Sequence, residues 1–162
     1  MKFLLILSLI FSMGAMAETK KPKAEPTQID DLIRGELAAM KTYDTVIKDL
    51  KGAEKTQMES IRRDHEKNVD RLSKYVSGKP ELLDDTESSG VWGTFSTAWT
   101  KGAKLFGNET ALKALQQGEE HGVNEYMEAL DDDSIPKELK SQIREDMIPK
   151  QRAHIQTLKT FL

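Results

Sequence analysis

Four stretches of this chain repeat their apolar residues with the period of a helix, and one ionisable residue interrupts each. The first stripe runs Ile29, Leu32, Ile33, Met40, Tyr43, Ile47 and Leu50, with Glu36 inside it. The second, after Gly52, runs Met58, Ile61, Val69, Leu72 and Val76, with His65 midway. The third places Leu112, Leu115, Val123, Tyr126 and Leu130 around Glu119, and the fourth places Leu139, Ile143, Met147, Leu158 and Phe161 around His154. A face of this period must be buried against another such face. No segment alternates with period two for long enough to argue a strand, so the expected class is all-α.

The connections set the topology. Gly78-Lys79-Pro80 is expected to stop the second helix, and the linker ending in Ser88-Ser89-Gly90 carries no strand pattern. Gly107-Asn108 is expected to end one element and cap the third long helix. Pro149 should bend the fourth, because it lacks a backbone donor and its ring clashes one turn back. Short, long and short connections predict a four-helix bundle with one long crossover.

A pattern is written twice along these helices. GELAAMKTY at 35–43 and GEEHGVNEY at 118–126 share Gly-Glu-x6-Tyr, 83 positions apart. MESIRRDH at 58–65 and MIPKQRAH at 147–154 share Met, Arg and His at one spacing. This reads as an internal repeat, a Glu helix followed by a His helix. In the first hairpin Glu36 stands about 15 residues before the turn centre and His65 about 13 after it, which puts them at one depth. Six more residues separate Glu119 from His154 than Glu36 from His65, and the turn DDDSIP is the expected place to absorb them.

An ionised carboxylate on a core face needs a metal or a hydrogen-bonding partner. Two Glu and two His converging from four helices offer oxygen and imidazole ligands suited to iron, manganese or zinc. Glu36, His65, Glu119 and His154 are therefore the candidate metal ligands. The Gly before each Glu costs a helix about 1 kcal/mol relative to Ala, which points to close backbone approach there. Tyr43 and Tyr126, two turns on, could donate hydrogen bonds to the ligating groups. A metal-free polar cluster is the competing reading of the same residues.

With these residues in place, the chain resembles the ferritin-like superfamily, in which Glu on helix one and Glu-x-x-His on helix two recur on helices three and four. It looks closest to a small bacterial ferritin-like four-helix-bundle family of unknown function, with Gly-Glu in the third helix and a Trp-bearing crossover. The resemblance covers roughly residues 29–160 and departs at the bridging positions, three residues before each His. There this chain has Arg62 and Gln151 in place of Glu. Without bridging carboxylates a di-iron oxidase is disfavoured; a single-metal site, or a cluster in which Arg62 compensates a Glu, stays open.

In GVWGTFSTAWTKGAKLFG, residues 90–107, helical spacing puts Trp92, Phe95 and Trp99 on one face. The expectation is a short amphipathic crossover helix packed on the bundle. The alternative is a docking face for a protein partner in a structural or stress-associated interaction protein. A second copy of the chain is also a candidate partner, and peripheral membrane contact is disfavoured. His121 and the Asp131-Asp132-Asp133 turn are expected at the surface. Met40, Met58, Met127 and Met147 are expected as core fillers.

The chain starts MKFLLILSLIFSMGAMA, with one Lys, an apolar run and Ala-Met-Ala, which reads as a signal peptide over residues 1–17. The run is too short to span a membrane as a helix. Residues 18–28 read as a flexible linker and 29–162 as the bundle. With no Cys, neither a disulfide nor a thiolate site is available. Lys plus Arg number 24 against 27 Asp plus Glu, a net charge of −3 that becomes −4 when Lys2 leaves, and nucleic acid is a disfavoured partner. The expected location is periplasmic or secreted. Intact mass of periplasmic material should show a chain beginning at or near Glu18; a species retaining residues 1–17 would contradict export.

Overall fold

The computed structural model describes residues 27–76 and 91–162, with the side chains of 91–108 excepted. Among these residues the protein is all-helical, and it forms four helices. α1 spans Gln28–Val46 and α2 spans Gly52–Leu72, followed by one 3₁₀ turn, Ser73–Tyr75. α3 spans Val91–Asp131. The fourth rod is α4 (Lys137–Gln142), a π turn (Ile143–Met147) and α5 (Ile148–Lys159).

α1 starts where Thr27 closes a capping box with Asp30. The two side chains satisfy donors that the first helical turn leaves free, so the helix begins at Gln28, one residue before the expected boundary at Ile29. Gly52 enters α2 at φ 58°, a left-handed conformation open to Gly at no steric cost. α2 gives way at Leu72 to the 3₁₀ turn. The expected stop at 78–80 and the linker through 90 lie outside the described residues, as does the proposed signal peptide.

Two sequence expectations need correction here. No break occurs at Gly107-Asn108: α3 runs through it for 41 residues. A Gly and an Asn cost a helix interior only about 1 kcal/mol or less each, too little to force a break. The separate short crossover helix is thus the first part of α3. The side chains of Trp92, Phe95 and Trp99 lie outside the described residues. Met127, expected in the core, is 47% exposed on α3.

Side-chain pairs give the directions. Tyr43 meets Glu119 while Glu36 meets Tyr126, so α1 and α3 are antiparallel. Arg71 pairs with Asp146 and Tyr75 with Gln142, so α2 is antiparallel to the fourth rod. α2 and α3 therefore run the same way.

The apolar core comes in two halves. One holds Ile33, Leu72, Val123, Leu139, Ile143 and Met147; the other holds Val46, Leu50, Met58, Ile61, Leu112 and Leu158. Burying each such side chain contributes about 1.5–3 kcal/mol. A polar layer lies between the halves, roofed by Tyr126 on one side and Tyr43 on the other.

The six extra residues of the second hairpin are not in its loop. Both connections, 47–51 and 132–136, have five residues. The excess lies in the helices: Glu119 is two residues farther from the end of α3 than Glu36 from the end of α1, and His154 is four farther into its rod than His65 into α2. One of those four is taken up by the π turn, where Ile148 N–H bonds to Ile143 C=O, five residues back. Such a turn inserts one residue without ending a helix, and it relaxes the backbone where the Pro149 ring would crowd the preceding turn. Pro149 thus sits at the start of α5, and the rod continues.

Candidate functional site

Glu36, His65, Glu119 and His154 come from four helices into one layer, each no more than 6% exposed. His65 is its centre. Its Nδ1 donates to Glu36 Oε2 at 2.7 Å and its Nε2 to Glu119 Oε1 at 2.9 Å. An imidazole that gives a proton to a carboxylate on each side is an imidazolium. Burial lowers its pKa, but attraction to Glu119 and Glu36 and the two hydrogen bonds outweigh burial and push it up to about 10.

The two Gly-Glu-x6-Tyr segments exchange partners. Tyr43 Oη donates to Glu119 Oε1 at 2.6 Å, and Tyr126 Oη donates to Glu36 Oε1. Each carboxylate then has a third donor. For Glu36 it is Asn68 Nδ2 at 3.3 Å, and for Glu119 it is His154 Nδ1 at 3.3 Å. Burial raises the Glu119 carboxyl, but His65 and His154 overcome it and hold the group well below the ordinary carboxylate range. Burial pushes both tyrosine hydroxyls well above their usual value, and the carboxylates they face add to it. The tyrosines thus remain neutral donors.

His154 breaks the symmetry. Where His65 spans both carboxylates, His154 touches Glu119 alone and turns Nε2 toward Asp64 Oδ2 at 3.5 Å, too far for a proper hydrogen bond. Its ring lies 5.5 Å from that of His65, and the Tyr43 ring lies 5.4 Å from that of His65.

Of the two residues at the bridging positions, Gln151 reaches the layer and Arg62 does not. Gln151 is 5% exposed, and its Oε1 has no partner. Arg62 sits at the edge of α2 and pairs with Asp44 at 2.9 Å and Glu66 at 2.9 Å. The alternative left open above, a cluster in which Arg62 compensates Glu36 or Glu119, is therefore corrected: His65 supplies the charge, because Asp44 on α1 draws the guanidinium outward. Asn68 and Asp64 were not anticipated. Asn68 carried a signal, a polar residue three positions after His65 between Ile61 and Leu72 on the buried face. Asp64, next to His65 in sequence, carried none.

His65, Glu119 and His154 each present a ligand atom, all within 4.8 Å of one another. Two atoms about 2.1 Å from one ion stand roughly 3–4.2 Å apart, so small movements would close this group on a cation. Glu36 is outside the group. A cavity of about 30 Å³ adjoins it, bordered by Gly35, Gly118, Gly122 and Gln151. The partnerless Oε1 of Gln151 and this free space, which His65 and Glu119 also border, fit a bound ion, whereas His154 does not border it and would reach the ion through Nδ1, the nitrogen nearer Glu119.

Fold and site together define an all-helical, four-helix protein with a buried Glu–His–Glu bridge. Residues 25–132 match the family described as Domain of unknown function (DUF2383), and the chain belongs to that family. The matched segment holds Glu36, Tyr43, His65, Asn68, Glu119 and Tyr126, whereas Gln151 and His154 lie beyond it. Comparison with curated proteins and with solved structures returned no match. Among the described residues no helix is long and apolar enough to cross a membrane.

A folded-state pKa of about 10 for His65, against an ordinary 6.5, makes its contribution complete below pH 6.5 and lost as the pH climbs toward 10. Glu119 acts in the opposite sense, contributing above its ordinary 4.5 and losing that only in stronger acid. The metal-free protein should therefore melt highest between about pH 4.5 and 6.5 and decline toward pH 10. Glu119→Gln should flatten the alkaline decline, because His65 keeps only the attraction of Glu36, and should destabilise the protein at pH 6 by roughly 1.5–3 kcal/mol, the loss of one hydrogen bond to the buried imidazolium. Melting curves across pH check both; identical profiles for the two proteins would contradict the bridge.

Proposed function

We propose that this protein is an exported ferritin-like four-helix bundle that binds a single divalent transition metal, iron, manganese or zinc, in its polar layer. The observation that carries the metal reading is the grouping of His65, Glu119 and His154 in a buried site beside free space. His65 would offer Nε2 after losing that proton, keeping Nδ1–H on Glu36. A carboxylate behind a ligating His fixes the tautomer and the ring orientation and raises the basicity of the ligand. Glu36 is thus a positioning residue first, with direct ligation open to it only if its carboxylate turns. The bound ion would supply Lewis acidity or redox capacity, while the chain's own groups exclude water and hold the ligands.

The ferritin-like part of the reading draws on helix order. α1 runs opposite to α2 and to α3, while α2 and α3 run the same way, the helix directions that a bundle with one long crossover has. Glu on the first and third helices and His on the second and fourth follow the superfamily's arrangement. No di-iron oxidase is proposed, since Arg62 and Gln151 stand at the bridging positions.

One observation favours the metal-free reading. Each carboxylate already has three donors, so a proton on His65 closes the network without an ion. Calorimetric titration of chelator-treated protein with Zn²⁺ or Mn²⁺ decides between them. The metal reading expects one ion per chain with proton release, and affinity rising up to about tenfold per pH unit below pH 10 as the ion displaces the His65 proton. His154→Ala should abolish high-affinity uptake. Absence of uptake by the wild type at pH 8 would leave the cluster as a structural device.

A further inference from the structure

The cavity beside the cluster extends beyond the ligand group. Its inner wall includes both cluster carboxylates, and toward the surface it is bordered by Glu125, whose side chain is 20% exposed and lies 3.3 Å from His121. No Lys or Arg lines it. Gly35, Gly118 and Gly122 leave its helical walls without side chains. A space of about 30 Å³ holds one or two water-sized species, enough for a small ion to pass.

Gln151 is the unexplained group. Its Oε1 is buried without a partner, which is unfavourable unless something visits it, and an amide oxygen is a suitable ligand for a cation. Its amide rests against α3 at Gly122. A Cβ there would lie 2.1 Å from Gln151 Nε2 and 3.1 Å from its Cδ, so only glycine leaves the amide its place. Any side chain at 122 must push that amide away, and the adjoining free space is the cavity.

We propose that this cavity is the passage by which a divalent cation reaches the cluster, with Glu125 at its outer end, Gln151 Oε1 as a relay inside, and Gly122 as the seat that keeps the amide clear. The proposal rests on the metal-binding reading and adds which residues govern the rate. The other approach, past Asp64 to His154, is less suited to a cation, because Lys67 occupies Asp64 at 2.7 Å.

Stopped-flow absorbance with Co²⁺ as the probe, on the chelator-treated full chain, tests it. Gly122→Ala should slow both uptake and release about tenfold while leaving equilibrium affinity nearly unchanged, because the displaced amide obstructs the path in both directions. The double variant Gly122→Ala/Gln151→Ala should regain fast exchange, a rescue that a folding defect would not show. Wild-type rates in Gly122→Ala, failure of the rescue, or slowing by Asp64→Asn alone would overturn the passage. If the wild type takes up no Co²⁺, the metal reading falls and this proposal with it; normal wild-type uptake with unmoved variant rates sinks the passage alone.

Discussion

One imidazolium between two buried carboxylates is the constraint on which the rest of the structure depends. Glu36 on α1 and Glu119 on α3 would repel each other across the core if both were ionised with nothing between them. His65 on α2 removes that conflict by donating to both. The bridge fixes the relative height of three helices, because a shift of one turn, about 5.4 Å, would break both hydrogen bonds. It also splits the apolar core in two, and the tyrosines seal the division by donating from the opposite helix. Each half of the core therefore has to bury enough apolar surface to offset a polar layer that by itself gains little.

The second hairpin shows how the layer came to be asymmetric. Its helices are longer, and a π turn brings α5 into a register that buries Gln151, His154 and Leu158 together. His154 ends up on one carboxylate, with its other nitrogen near a partly exposed aspartate. The two residues three positions before the histidines show how packing decides between equal offsets. Arg62 has an acid on the neighbouring helix to draw it outward, whereas Gln151 has a glycine that lets it lie inward.

The helical class, the four helices and the convergence of Glu36, His65, Glu119 and His154 were legible in the sequence, because a charge on an apolar stripe is a local pattern that burial must answer. The crosswise pairing of the tyrosines was not. Two turns of helix place Tyr43 near its own Glu36 in sequence, but only the antiparallel approach of α3 hands it to Glu119. Arg62 was misread for a similar reason: offset along one helix says nothing of an acid on the next. The length of α3 was missed because Gly107 and Asn108 look like a boundary, although their propensity costs only about 1 kcal/mol or less each and tertiary context overrides it. Met127 shares its helix with Tyr126 but turns outward, a distinction of one residue that the apolar pattern alone blurs.

The account turns on what His65 carries, a proton or a metal, and nitrogen NMR of its imidazole reads this directly. In metal-free protein at pH 7, both ring nitrogens of His65 should show the shifts of a protonated imidazolium, since its pKa stands at about 10. On addition of Zn²⁺, Nε2 should lose its proton and move to a ligated shift, while Nδ1 keeps its proton toward Glu36. A neutral His65 at pH 7 in the metal-free protein would contradict the bridge that organises the fold, and an Nε2 unmoved by Zn²⁺ would contradict the metal site built on it.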